Sequence, residues 1–302
     1  SGGCSLFNPA LLSICHVCVV FLRAMRHPSS ARLKATSDKV RAKKSLGQHF
    51  LHDQKAAQRI VDGLQLRTGV NDVLEIGPGM GVLTKYLLEK PQINLRLAEI
   101  DRDSVAYLKK HYPAVANAIH EGDFLEMDLR ALFAAPFMII GNFPYNISSQ
   151  IFFKVLANRD YVTQVVCMLQ KEVADRIAEK EGSKTYGILS VLLQAFFFVD
   201  MLFKVPPGAF SPPPKVMSAV IRLRRNDVVH LPCDEKLFVT VVKQGFNNRR
   251  KTLRNALKNL ILPAEITTLP ILDNRAEQLS VQDFIHLTQL IEQHRGGGST
   301  SV

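Results

Sequence analysis

Residues 72 to 84 constrain this chain more than any other stretch. Asp72-Val73-Leu74-Glu75-Ile76 is an apolar run of strand length, and Gly77-Pro78-Gly79-Met80-Gly81 follows it without a break. A helix is predicted to start near Val82, with Thr84 in its first turn. Strand, glycine-rich turn and helix in succession form the context a nucleotide-binding loop requires. The glycines let the backbone approach a ligand closely, and the helix N-terminus adds a positive dipole end. A further strand-helix unit follows, a strand over Asn94 to Ile100 with a helix over Asp103 to His111, and then a third strand around Ala116 to His120. A fourth strand covers Pro136-Phe137-Met138-Ile139-Ile140. Repeated βα units imply an α/β protein with a Rossmann-like parallel sheet and helices on both faces.

Acids stand at the ends of these strands. Glu99, in Glu99-Ile100-Asp101, lies about 20 residues past the glycine turn, where an acid is placed to accept both ribose hydroxyls. Glu121-Gly122-Asp123-Phe124 ends the third strand, and an acid followed by an aromatic can bond an adenine amino group and stack on its ring. Such a turn with a downstream acid fits NAD as well as other adenosine cofactors. Glycines at alternate positions with Glu75 before them are commoner in methyltransferases that use a sulfonium cofactor, but spacing alone leaves both open.

After the fourth strand comes Gly141-Asn142-Phe143-Pro144-Tyr145-Asn146. Pro144 fixes its own φ and biases Phe143 away from helical geometry, so the loop is stiff and extended. Stiff loops at the carboxyl ends of strands are where open α/β sheets place their ligands. Asn142 offers a donor and an acceptor and Tyr145 a flat π face, a set suited to a planar amine-bearing base. The competing reading is an Asn-Pro turn with a core aromatic.

Further on, Ser148 or Ser149 is expected to cap a helix to Leu156, Val162 to Leu169 to form a fifth strand, and Glu172 to Lys180 a polar helix. An apolar helix over Ile188 to Gln194 precedes Phe196, Phe197 and Phe198, read as core at the start of another strand. Phe210-Ser211-Pro212-Pro213-Pro214-Lys215-Val216 forms a rigid connector that fixes the Phe210 ring, and a strand over Ser218 to Leu223 closes the unit. Short helices follow from Leu231. No acid occurs between Lys236 and Glu265, where Lys243, Arg249, Arg250, Lys251, Arg254 and Lys258 accumulate. These cations are expected on one side of a helix whose Leu253, Leu257 and Leu260 face inward. The whole chain carries 38 Lys and Arg against 27 Asp and Glu, a net charge of +11 that favours polyanions. Uncompensated cations with amides between them point to phosphate contacts rather than a merely solvated face.

Residues 1–42 differ from the rest. The apolar segment from Ala10 to Leu22 is too short to span a membrane, and Asp38 is the sole acid before Lys44. A signal anchor, an organellar transit peptide and translated sequence upstream of a start at Met25 all compete, and a disordered or mis-started extension is expected. Cys15, His16 and Cys18 lack a second ligand pair, so no metal site is expected, and the cysteine usage fits a reducing compartment. The expected division is therefore the extension 1–42, a main unit over 43–225 and a small all-helical unit over 230–295, with a disordered Gly/Ser-rich tail from Gly296.

Taken together, the motifs resemble the ribosomal RNA adenine N6-dimethyltransferases, which comprise small-subunit rRNA dimethylases and their erythromycin-resistance relatives. The resemblance is carried by Gly47-Gln48-His49-Phe50-Leu51, Glu75 through Thr84, Glu99-Ile100-Asp101, Gly122-Asp123, Asn142 through Tyr145, Phe210 through Val216 and Phe246 through Leu253, in the family's order. It implies a class I methyltransferase sheet using S-adenosyl-L-methionine. His49 and Leu51 would contact the cofactor from an N-terminal lid and Gly77 would lie beneath its methionine part, with Gln48 and Gly79 also among the cofactor-binding residues. Glu99 would hold its ribose, Asp123 its adenine amino group, and Asn142 would lie beside the methyl donor. Catalysis would fall to Asn142, Pro144, Tyr145 and Phe210, and RNA binding to Lys243, Arg249, Arg250, Lys251 and Arg254. The implied activity is N6,N6-dimethylation of two adjacent adenosines in a hairpin loop near the 3′ end of 16S rRNA, within the immature 30S subunit. A cytoplasmic monomer with no membrane partner goes with it. The family usually has Asn at His49, often Leu at Phe143 and commonly Asp at Met217.

The chemistry follows from the residues as well. An adenine amino nitrogen is a poor nucleophile because its lone pair is delocalised. Hydrogen bonds from its N–H groups to Asn142 and the Pro144 carbonyl would free that pair, while Tyr145 and Phe210 sandwich the base. Two rivals remain: a large-subunit rRNA methyltransferase of the resistance type, and a non-catalytic nucleic-acid-binding assembly or transcription factor on the same fold. An NAD dehydrogenase is disfavoured by the lack of a hydride-acceptor acid/base pair.

Overall fold

The computed structural model describes residues 40–260 and 262–296; the segment before Val40, with Cys4, Cys15 and Cys18, and the tail after Gly296 lie outside the described residues. The strands are β1 (Phe50–Leu51), β2 (Asp72–Ile76), β3 (Asn94–Glu99), β4 (Ile119–Glu121), β5 (Phe137–Asn142), β6 (Val162–Gln170), β7 (Phe197–Val205), β8 (Phe210–Ser211) and β9 (Ser218–Arg225). The helices are α1 (Gln54–Asp62), α2 (Thr84–Leu88), α3 (Arg102–His111), α4 (Leu129–Leu132), α5 (Ser148–Ala157), α6 (Lys171–Ala178), α7 (Ile188–Gln194), α8 (Glu235–Asn247), α9 (Leu253–Ala256), α10 (Ala264–Thr267) and α11 (Val281–Gly296).

Seven strands form one sheet in the order β4-β3-β2-β5-β6-β9-β7. Strands β2 to β6 pair in parallel, as successive βα units require. Near-continuous apolar runs bury both faces of such a sheet. Val73, Met138, Ile140, Val166 and Met168 face a core roofed by α1 and α2. Their neighbours Leu74, Ile139, Val165 and Cys167 face the opposite core. The residues Val73, Leu74, Ile139 and Ile140 are all fully buried, each contributing about 1.5–3 kcal/mol. The second core continues without interruption into Phe238, Val242, Phe284 and Leu287, so the C-terminal helices share the sheet's hydrophobic layer.

Several local expectations are corrected. β9 does not simply append to the sheet: it inserts antiparallel between β6 and β7. Pro113 opens a 3-10 turn over Pro113–Ala118, which shortens β4 to Ile119–Glu121. β5 runs through Gly141 and Asn142 before the loop begins, because Gly141 lies against the Ile76 carbonyl, where a Cβ would come within 2.5 Å. The Ser148 side chain does not cap α5; its hydroxyl donates to the Tyr145 carbonyl at 3.2 Å. Phe196 and Phe197 are core, but Phe198 points outward and is 57% exposed, since strand alternation sends neighbours to opposite faces. No helix among the described residues is long and apolar enough to cross a membrane.

Candidate active site

Gly77 follows β2 directly, and the register Ile76↔Gly141 sets it against Asn142, the last residue of β5. Gly77, Gly79 and Gly81 have φ of 65°, 55° and 76°, angles that side chains other than glycine's rarely tolerate. A Cβ on Gly77 would meet only the Asn142 carbonyl at 3.9 Å, so its bare backbone borders open space. A Cβ on Gly79 would collide with the Phe50 ring at 2.9 Å. The turn is thus pressed from the far side by the segment that carries Gln48 and His49.

Glu99 ends β3 beneath this turn and is 4% exposed. Its carboxylate accepts from Gly79 N at 3.0 Å and Asp101 N at 2.8 Å. Burial raises its pKa, against the pull of those two amides. Glu75, 1% exposed, accepts from the Thr84 hydroxyl at 2.7 Å. Burial, with the charge of Glu99 adding to it, pushes the Glu75 carboxyl up to about 8, so it is protonated at neutral pH. The amide of Gly122 donates to the Glu99 carbonyl at 2.9 Å, which brings Asp123 to the same edge. Asp123 caps the following turn by accepting from Leu125 N at 2.9 Å.

A strap over residues 43–53 crosses this edge. At one end Lys43, Gln48 and Ser104 all donate to the buried Asp101 carboxylate. Burial alone would raise the Asp101 pKa, but these hydrogen bonds outweigh it and hold the carboxyl below its ordinary value. At the other end β1 pairs antiparallel with β8, Leu51 opposite Phe210. Between them, Asn142 Nδ2 donates to the His49 carbonyl at 2.9 Å. A carbonyl can only accept, so the amide nitrogen must face the strap and Asn142 Oδ1 is turned away from it. The His49 ring stacks on Tyr145 with centroids 5.4 Å apart, and its Nδ1 bonds the Pro212 carbonyl at 2.9 Å. Tyr145, half-buried, pairs its hydroxyl with the buried Ser218 hydroxyl at 2.5 Å. Burial raises the Tyr145 pKa, opposed by that bond, so the ring stays neutral.

The structure therefore gathers Gln48, His49, Gly77, Gly79, Glu99, Asp123, Asn142, Pro144 and Tyr145 at one edge. Three expectations change. Leu51 and Phe210 are 4% and 3% exposed, both within the core beneath α1, so the Phe210 ring supports the strap rather than lining the open face. Phe124 is likewise in the opposite core at 4% exposure, leaving Ile100, 40% exposed beside Glu99, as the apolar face of this edge. The basic segment is not one helix: α8 ends at Asn247, a turn follows, and α9 starts at Leu253. Nor are all its cations uncompensated. Arg249 bonds Glu277 at 2.9 Å and the carbonyls of Lys184 and Tyr186, while Arg254 pairs with Asp273 at 2.7 Å. Lys243 lies 5.4 Å above the Phe153 ring, and Arg250 and Lys251 are exposed. The acids that neutralise Arg249 and Arg254 come from later in the chain, beyond the window that looked acid-free. Asp101, Lys43, Ser218 and Ile100 are the site residues that sequence reasoning missed. Only Asp101 and Ile100 left a signal, as neighbours of Glu99 at a strand end. Among the described residues no group of His, Cys, Asp and Glu could hold a metal ion.

Comparison with known proteins identifies the family. The ribosomal RNA adenine dimethylase family matches residues 39–293. The ribosomal RNA small subunit methyltransferase A of Cytophaga hutchinsonii is 58% identical over 254 residues, covering 84% of this chain and 98% of the relative. Its counterpart from Flavobacterium johnsoniae is 56% identical over 256 residues, covering 84% and 97%. Among solved structures, a dimethyladenosine transferase from Plasmodium falciparum superposes with a TM-score of 0.67 at 25% identity, covering 79% of this chain and 96% of that one. The 23S rRNA methyltransferase ErmE shares the fold, with a TM-score of 0.59 at 24% identity over 79% of this chain and 99% of that one. The mostly parallel sheet is thus that of a class I methyltransferase fold with a helical C-terminal region, and the chain is a member of the ribosomal RNA adenine dimethylase family, an rRNA adenine methyltransferase.

Proposed function

We propose that the protein uses S-adenosyl-L-methionine to dimethylate N6 of two adjacent adenosines in a hairpin loop near the 3′ end of 16S rRNA, within the immature 30S subunit. On this reading it works as a cytoplasmic monomer, with residues 43–225 as the methyltransferase unit and 230–295 as a helical RNA-binding unit. The observation that carries the proposal is the orientation of Asn142. Its amide nitrogen is committed to the His49 carbonyl, so its oxygen is the atom left to accept from a substrate. The residues also fit the cofactor's shape. Bare backbone at Gly77 leaves room for its methionine part. The Glu99 carboxylate, fixed by two amides, keeps lone pairs for a ribose diol. Asp123 and the exposed Ile100 suit the amino edge and face of an adenine. Gln48, His49 and Leu51 hold the strap over it, His49 and Leu51 through their backbones and Gln48 through Asp101.

When bound, the cofactor supplies an electrophilic methyl group on a sulfonium centre. The work of this chain is to present the amine. In the first transfer Asn142 Oδ1 and the Pro144 carbonyl accept the two N–H groups of the adenine; in the second, one of them accepts the single N–H that remains, and each time the nitrogen is pulled toward tetrahedral geometry and its lone pair freed. Tyr145 stacks on the base once the His49 ring yields its place, and the Ser218 hydroxyl keeps the Tyr145 ring from turning. Phe210 backs the strap that clamps Asn142. Positioning supplies most of the rate. The methylated amine is acidic enough to lose its proton to water, so no carboxylate is needed beside Asn142. On the helical unit, the exposed Arg250 and Lys251 make the phosphate contacts, with Lys243 beside them, while Arg249 and Arg254 shape that surface.

The test is methyl transfer to undermethylated small-subunit particles, followed by mass spectrometry for dimethyladenosine. Asn142→Ala should bind cofactor within about threefold of wild type and lose about 10²–10³ in kcat, the loss seen when one preorganised hydrogen-bonding group is removed. Turnover within tenfold of wild type would refute the role of Asn142. Methylation of protein-free 23S rRNA in place of the particle would refute the substrate.

A further inference from the structure

Residues 212–217 form a loop tied at both ends to the two stacked rings of the site. At its start the Pro212 carbonyl bonds His49 Nδ1; at its end Ser218 bonds the Tyr145 hydroxyl. Along its length Pro214 is buried, and the Met217 carbonyl accepts from Lys171 N at 2.9 Å. Here Val216 is 45% exposed and Met217 37% exposed, with Lys215 exposed beside them. Two aliphatic side chains therefore stand in solvent on a rigid proline loop, beside the ring proposed to receive the base. Among the described residues, neither the Val216 nor the Met217 side chain joins a hydrophobic core. The relevant chemistry is that of apolar side chains which cover base faces exposed by flipping.

Resting on the adenine-methylation reading above, we infer that Val216 and Met217 form an apolar wedge that packs on the nucleotide next to the target adenosine, holding the target out of its stack. Extruding a base uncovers the π-face of its neighbour, and two adjacent target adenosines ensure that this face is a purine in at least one of the two turnovers. Lys215 would pair with the phosphate between them. Both side chains are positioning groups: neither reaches the reacting atoms, and their effect is on the population of the extruded base.

The experiment uses the full chain and small-subunit particles reconstituted with a synthetic 3′ hairpin strand. One set carries the natural strand, a second carries 2-aminopurine at a target position, and a third has an abasic nucleotide beside the target. For Val216→Ser/Met217→Ser the single-turnover rate on natural particles should fall about tenfold, within the range that loss of stacking on one base produces. The 2-aminopurine fluorescence rise on binding should shrink in parallel. On abasic particles, where no neighbouring face needs covering, the variant and wild type should react within about twofold of each other. Val216→Leu/Met217→Leu should restore both readouts on natural particles. A rate on natural particles within twofold of wild type overturns the inference, and so does equal slowing on natural and abasic particles. Wild-type protein that leaves natural particles unmethylated overturns the proposed function, and the wedge with it.

Discussion

Glu75 offers the sharpest physical test, because its environment fixes both the sign and the size of an effect. The side chain is 1% exposed beneath the glycine turn, accepts from the Thr84 hydroxyl and faces Glu99. Its pKa rises from 4.5 to about 8, chiefly through burial. The folded protein therefore holds a proton that the unfolded chain releases near pH 4.5. Where the folded state binds more protons, stability falls as pH rises. The loss begins near pH 4.5 and is complete above pH 8. The gap between 4.5 and about 8 corresponds to a ceiling of roughly 5 kcal/mol at about 1.4 kcal/mol per unit, of which roughly 3 is expressed by pH 7. Glu75→Gln keeps an acceptor for Thr84 and removes the proton. Urea unfolding of both proteins from pH 5 to pH 9, with m-values checked for equality, measures the difference. The variant should match wild type within about 1 kcal/mol at pH 5 and exceed it by about 3 kcal/mol or more at pH 8. A residual decline of the same sign should persist in the variant, because burial raises Glu99 too. Parallel curves for the two proteins, or a variant less stable than wild type at pH 8, would refute the assignment of a buried neutral acid.

Glu99→Ala removes the acceptor for Gly79 N and Asp101 N, and should weaken S-adenosylmethionine binding about tenfold to a hundredfold by calorimetry, with the sheet still folded by circular dichroism. An unchanged Kd would remove Glu99 from the site. Arg249→Ala strands Glu277 and two carbonyls, and should lower stability by about 1–3 kcal/mol while leaving the salt dependence of RNA binding unchanged. Arg250→Ala/Lys251→Ala should show the reverse, an unchanged Tm with a salt slope smaller by about 2. The opposite allocation in filter-binding and melting experiments would mean that Arg249 faces RNA.

Local chemistry made much of this protein legible in its residues. Asp72–Ile76 and Ile188–Gln194 form the elements their apolar patterns predict, because period and length act within a few residues. Glycines that take positive φ, an acid at the end of β3 and a proline two residues past Asn142 announce the edge of the candidate site, since each restricts the backbone or places charge through its own covalent structure. Tertiary structure decided which of these groups meet. Antiparallel insertion of β9 between β6 and β7, and the pairing of β1 with β8, depend on contacts between segments far apart in sequence. His49 meets Pro212 across 163 residues, and Arg249 meets Glu277 across 28. Phe124 and Phe210 look like exposed stacking rings in their motifs but are buried, because the fold supplies each with a core larger than its neighbours in sequence reveal. A motif specifies side-chain chemistry; only the packed chain specifies which hydrogen bonds that chemistry has already made, as Asn142 shows by giving its nitrogen to the strap.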